Sequence, residues 1–132
     1  MQNHTVVNHT VVITITKDLL SVSPEKIEAK TGDQVTWAAL DQTGTNLTVT
    51  VGEWQRDEGN REPDEQSPFF GNVPTLTSSV QANHVTTLPG GVIIVQKSVW
   101  SYTVIANGTV NVDGHEEEIN LRSVDPRLII SG

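Results

Sequence analysis

The chain has 132 residues, no cysteine, one methionine and a formal net charge of −8. Its length suits one domain spanning residues 1–132 that closes a hydrophobic core without staples. The lack of thiols excludes disulfides, iron–sulfur clusters, thiolate metal sites and cysteine nucleophiles, and the excess of acid speaks against nucleic acid and anionic membranes, which both call for clustered Lys and Arg.

Threonine and valine predominate, glycine and proline punctuate at short intervals, and no long window keeps an i, i+3, i+4, i+7 apolar pattern, so the chain is predicted to be all-β. No cationic segment precedes the first strand, and the apolar runs Val11–Ile13 and Gly90–Val95 are too short to span a bilayer. The expectation is a soluble, cytoplasmic protein without an export signal. Asn3-His4-Thr5-Val6-Val7 is followed directly by Asn8-His9-Thr10-Val11-Val12, a short duplication that either extends the first strand or arises by chance.

Alternation over His9–Thr16 puts Val11, Ile13 and Ile15 on one face of a strand. Ser23-Pro24-Glu25 opens the approach to Ile27. Strands at Gln34–Ala39 and Asn46–Val51 flank a turn at Gly44, with Val35, Trp37, Ala39, Leu47, Val49 and Val51 inward. Gln55 to Pro68 is predicted as one long polar loop. Further strands are expected at Thr75–Val80, His84–Thr87, Val92–Gln96, Trp100–Ala106, Thr109–Val112, Glu118–Leu121 and Arg127–Ile130. Turns are expected at Pro89-Gly90-Gly91, and two-residue hairpins at Asn107-Gly108 and Asp113-Gly114. Strands at this spacing predict a Greek-key β-sandwich.

Residues 22 to 51 carry a family resemblance, through Val22-Ser23-Pro24, the turn Lys30-Thr31-Gly32-Asp33, the strand Gln34-Val35-Thr36-Trp37 and then Asn46-Leu47-Thr48-Val49. This pattern resembles the N-terminal half of a cupredoxin, and Trp100–Val104 with Arg127–Ile130 resembles its C-terminal half more loosely. The resemblance implies a cupredoxin-like sandwich. A blue-copper site needs two imidazoles and a thiolate, with a weak axial methionine. At the positions that resemble the first histidine and the cysteine stand Asn46 and Ala106, and the only methionine is Met1. Without a thiolate no type 1 copper centre forms, so no cofactor and no electron-transfer role carry over.

The four histidines, His4, His9, His84 and His115, form no recognisable ligand cluster. No nucleophile elbow or phosphate loop is present, and no residue is assigned a catalytic or metal-binding role. The acids are concentrated: residues 53 to 65 hold six acids against two arginines, and residues 113 to 118 hold four acids and no base. Their spacing matches no EF-hand, which leaves a divalent cation held by noncanonical ligands as a minor alternative.

Two roles are open to Trp54, Phe69 and Phe70 at the ends of the first acidic stretch: capping the core, or forming an exposed contact patch. The leading expectation is a copper-free cupredoxin-like module that binds a protein partner through the acidic loop 53 to 70 and the adjoining turn 113 to 118. Its candidate surface is Trp54, Asp57, Glu58, Glu62, Asp64, Glu65, Phe69, Phe70, Glu116, Glu117 and Glu118. The alternative is self-association, with an edge strand such as Thr10 to Thr16 pairing with another copy.

Overall fold

A computed structural model describes residues 5 to 58 and 66 to 131, with the side chain of Glu58 outside the description. The alternating pattern of valine, isoleucine and threonine forms ten strands: β1 (Asn8–Ile15), β2 (Leu20–Ser23), β3 (Lys26–Ala29), β4 (Gln34–Asp41), β5 (Leu47–Glu58), β6 (Leu76–Val80), β7 (Val85–Val92), β8 (Ser98–Val112), β9 (His115–Arg122) and β10 (Arg127–Ile130). They make an all-β sandwich of two sheets, as expected from the sequence. One sheet has the order β2-β1-β4-β7, and the other β3-β10-β8-β5-β6 with β9 also paired to β8. β1 runs parallel to β4 and β3 parallel to β10, while the other pairings are antiparallel. No helix among the described residues is long and apolar enough to cross a membrane.

Several local expectations give way to tertiary pairing. Asn107-Gly108 is not a hairpin but the middle of β8, where Gly108 is paired with Leu47 on one side and Ile119 on the other. Its glycine serves close packing, since a Cβ there would run into the Leu47 side chain and lie 3.0 Å from the Asn46 carbonyl. The true hairpin turn is Asp113-Gly114, whose φ values of 51° and 83° give the paired left-handed conformations of a type I′ turn. Pro89-Gly90-Gly91 lies within β7, and Val92–Gln96 is not a strand beyond Val92, since Ile93 makes only an isolated bridge with Phe69. The long loop starts later than predicted, because β5 continues through Gln55–Glu58 beside Ser101–Val99. β1 is no simple edge strand either: β2, unforeseen in the sequence, folds back onto Val12–Ile15.

Two irregularities set the core. In β5 the register with β8 shifts by one residue between Gly52 and Gln55, where Glu53 has φ 54°. Up to that point Leu47, Val49 and Val51 face inward; the extra residue reverses the parity, so that Trp54 faces inward too. In β7 a second shift skips Gly90, between the pairs Val35–Gly91 and Thr36–Pro89. There the Trp37 ring lies so close that a Cβ on Gly90 would strike it and sit 2.9 Å from the Val35 carbonyl. Trp37, Trp100, Tyr102 and Leu128 are almost wholly excluded from solvent between the sheets. Gly90→Ala is therefore expected to destabilise the fold by about 2 kcal/mol through overpacking. Thr87→Ala, on the exposed face of the same strand, is expected to shift stability by less than about 0.5 kcal/mol. Urea unfolding midpoints of the two variants check this.

Candidate functional site

The two positions that resemble copper ligands, Asn46 and Ala106, are taken up by structural roles. The Ala106 side chain is fully buried and its residue is paired with Val49 and Leu121. Asn46 sits in the β4–β5 loop, where its Oδ1 accepts the Ala82 amide at 3.1 Å. His115 is exposed next to the β8–β9 turn, opposite Val112 and six residues along β8 from Ala106. Among the described residues no group of three or more His, Cys, Asp or Glu side chains is placed to hold a metal ion.

The two acidic stretches lie at different ends of β8. Glu58 is paired with Val99 and Glu116 with Asn111, twelve residues further along that strand. At about 3.3 Å per residue they are roughly 40 Å apart along it. The nearest described acids are closer: Glu53 lies between the pairs of Gly52 with Thr103 and Gln55 with Ser101, while Glu118 is paired with Thr109, at least six residues or about 20 Å along β8, so among the described residues the turn 113 to 118 does not adjoin the first acidic stretch. Glu62, Asp64 and Glu65 lie outside the described residues. Two other acids of the first stretch are matched across the sheet. The Arg122 guanidinium donates to both carboxylate oxygens of Glu53, at 3.0 and 3.3 Å. Asp57 accepts the Ser101 hydroxyl at 3.3 Å and has the Arg127 guanidinium 4.0 Å away. Glu116, Glu117 and Glu118 are exposed on β9.

Of the three aromatic candidates, Trp54 and Phe69 belong to the core. The Trp54 ring stacks on Tyr102 at 4.7 Å and meets Phe69 edge-on at 5.3 Å and Trp37 at 6.0 Å. Phe69 also meets Trp37 edge-on at 6.0 Å. Phe70 is 74% exposed. The contrast comes from the backbone: Phe69 bridges Ile93, the Phe70 amide donates to Val92 and the Ile94 amide to Pro68, so that adjacent side chains alternate. Phe69 and Ile93 point in; Phe70 and Ile94 point out. The turn is held by Asn72, whose Oδ1 accepts the Gln66 and Ser67 amides at 2.6 and 3.2 Å. Ile94, whose amide donates to the Pro68 carbonyl, and Val73, three residues after Phe70, are likewise 50% and 40% exposed. Sequence reasoning missed both, because Ile94 sits in the run Ile93-Ile94-Val95 that reads as a buried strand.

A second feature, also unforeseen, lies where β1 enters the sheet. The Asp33 carboxylate, nearly inaccessible, accepts the Val7 amide at 3.2 Å, the Lys30 amide at 3.0 Å and His9 Nε2 at 3.0 Å. These bonds join β1 to the β3–β4 turn beside an open cleft of about 420 Å³, lined by Val7, His9, Glu28, Lys30 and Ser131 among others. His9 and Asp33 are 24 residues apart in no recognisable motif, so only the fold reveals the pair.

The titration of Tyr102 is strongly shifted. Burial pushes its phenol up from 10.0 to about 12, against a smaller opposite effect of the Trp37 indole, which donates to its oxygen at 3.2 Å. The folded state thus holds a proton that the unfolded chain releases above pH 10. This contribution is fully present below pH 10 and is lost as pH rises through about 12, the whole loss amounting to about 3 kcal/mol. Because Tyr102 is the only tyrosine, absorbance of tyrosinate reads it directly, and folded protein is expected to show none until near pH 12. Tyr102→Phe strands the Trp37 N–H, and is expected to cost about 1–2 kcal/mol at pH 7 while removing this alkaline component.

No protein-family model matches the chain, and no curated protein sequence does. Seven chains of solved structures match. One of them is auracyanin B, a cupredoxin, to which this chain is similar with 12% sequence identity and a TM-score of 0.46, over 99% of this chain and 94% of that one.

Proposed function

We propose that this chain is a copper-free, cupredoxin-like binding module whose contact surface is the patch of Phe70, Val73 and Ile94. The partner is a protein segment that offers an apolar side chain flanked by lysine or arginine. The exposure of Phe70 on a braced turn carries this reading. A large aromatic side chain in water on an otherwise ordered turn is the kind of anchor that a partner buries. Phe69, its neighbour, is the ring that packs against Trp37 and Trp54 in the core.

Charge selects the partner. The chain is at −8 overall, and residues 53 to 65, which lead in sequence into this turn, contribute −4 of that. Long-range attraction of this sign speeds encounter with basic segments and repels acidic ones. The acids of β9 at the far end of β8 do not belong to this surface.

The test is an amide chemical-shift titration of labelled protein with a synthetic peptide of alternating leucine and lysine. Shifts are expected at residues 68–73 and 92–95, weakening at about 0.5 M salt, where charges are screened within a few ångströms. Phe70→Ser is expected to lower affinity at least about tenfold with an unchanged melting temperature. A peptide with glutamate in place of lysine is expected not to bind. Equal binding by Phe70→Ser, or shifts confined to other surfaces, would overturn the proposal.

A further inference from the structure

β1 is covered unequally on its two sides. β4 pairs with it over Asn8–Ile15, whereas β2 pairs only with Val12–Ile15 before the chain leaves at Ser23 to enter the other sheet as β3. The direction of the backbone groups follows from the ladder. The Val7 carbonyl accepts the Gln34 amide and the Ile15 carbonyl accepts the Gln42 amide, so odd-numbered residues of β1 address β4. The even-numbered residues address the other side, where Val12 and Thr14 meet Ser23 and Ser21 of β2. Asn8 and Thr10 therefore turn their N–H and C=O groups toward a flank that β2 does not reach.

This flank is held in a pairing conformation. The Asp33 carboxylate grips the Val7 amide and the His9 ring, and β4 runs along the opposite side, so the stretch from Val7 to Val11 stays extended without a second strand beside it among the described residues. Ordering cost on association is correspondingly low.

The flank also lacks the devices that protect sheet edges, which are charge, proline and bulges. β7 carries Pro89 and a bulge, β3 carries Lys26 and Glu28, and β9 carries three glutamates and Arg122. β6 is uncharged, but it lies against β7 of the facing sheet. Met1 to Thr16, by contrast, contains no Asp, Glu, Lys, Arg or Pro, in a chain with a net charge of −8. Val6 and Val12 are 52% and 43% exposed, and lie with Asn8 and Thr10 on the outward parity of the strand.

We propose that two copies of this chain associate through this flank, with β1 of each pairing antiparallel to β1 of the other so that Asn8 of each faces Thr10 of its partner. An isologous contact of this kind is closed by a twofold axis and joins the two four-stranded sheets into one of eight strands. The second copy is the favoured occupant because the flank is the neutral part of an acidic molecule, where like copies do not repel, and because an antiparallel edge is complementary to itself.

The test is sedimentation of wild-type protein and position-10 variants over a concentration series. Thr10 is exposed, so Thr10→Lys and Thr10→Glu are expected to fold as the wild type does, which unchanged melting temperatures verify. Wild type is expected to be dimeric, each variant alone to be monomeric because like charges meet across the axis, and an equimolar mixture to recover the dimer. Phe70→Ser is expected to leave the dimer intact, which separates this contact from the partner patch. A monomeric wild type, a Thr10→Lys variant that remains dimeric, or a mixture that stays monomeric would each overturn the proposal.

Discussion

The molecule depends on one packing constraint: Trp37 of the smaller sheet must fit among rings supplied by the other sheet and by the turn at Phe69. Trp37 meets Tyr102 at 5.5 Å and Trp54 and Phe69 at 6.0 Å, all edge-on, and gives its indole proton to the Tyr102 hydroxyl. Edge-to-face pairs contribute roughly 0.5–1.5 kcal/mol each beyond the area they bury. The irregular features of the backbone follow from this cluster. The β5 bulge turns Trp54 into it, Gly90 in β7 leaves room for it, and the bridge between Phe69 and Ile93 closes it at one end. Arg56, on the same strand as Trp54, places its guanidinium 5.3 Å from the Trp100 ring and covers the cluster's flank. Once Phe69 is committed inward, alternation commits Phe70 outward.

Much of the architecture was legible in the sequence, because period-two alternation is imposed by burial of one face. Val11, Ile13 and Ile15 of β1, and Val35, Trp37 and Ala39 of β4, are all inside as the pattern required. Illegible features were those where a distant neighbour overrides a local preference. Asn107-Gly108 has the chemistry of a hairpin, but strands on both sides of β8 hold it extended. Trp54 has the wrong parity for its strand, and only the bulge at Glu53 corrects it. β2 is four residues long and lies against β1 only because a turn at Thr16–Leu19 brings it back, with the Thr16 amide donating to the Leu19 carbonyl at 2.8 Å.

The site was legible in composition more than in position. Charge counting located the acids but not their partners, since Arg122 and Arg127 reach Glu53 and Asp57 from other strands. It also placed as neighbours two acidic stretches that the length of β8 separates. The gly–asp turn at Gly32-Asp33 was foreseen as a local device, and its carboxylate does accept the Lys30 amide; its reach to Val7 and His9 depends on the parallel pairing of β1 with β4, which no local pattern encodes.

The central claim is that the aromatic core takes Phe69 and thereby displays Phe70. With only two phenylalanines in the chain, proton–proton nuclear Overhauser effects from each ring test it most directly. The prediction is that the Phe69 ring shows contacts to the indoles of both Trp37 and Trp54 while the Phe70 ring shows none to either. Contacts from Phe70 to those indoles, with Phe69 in solvent, would contradict it.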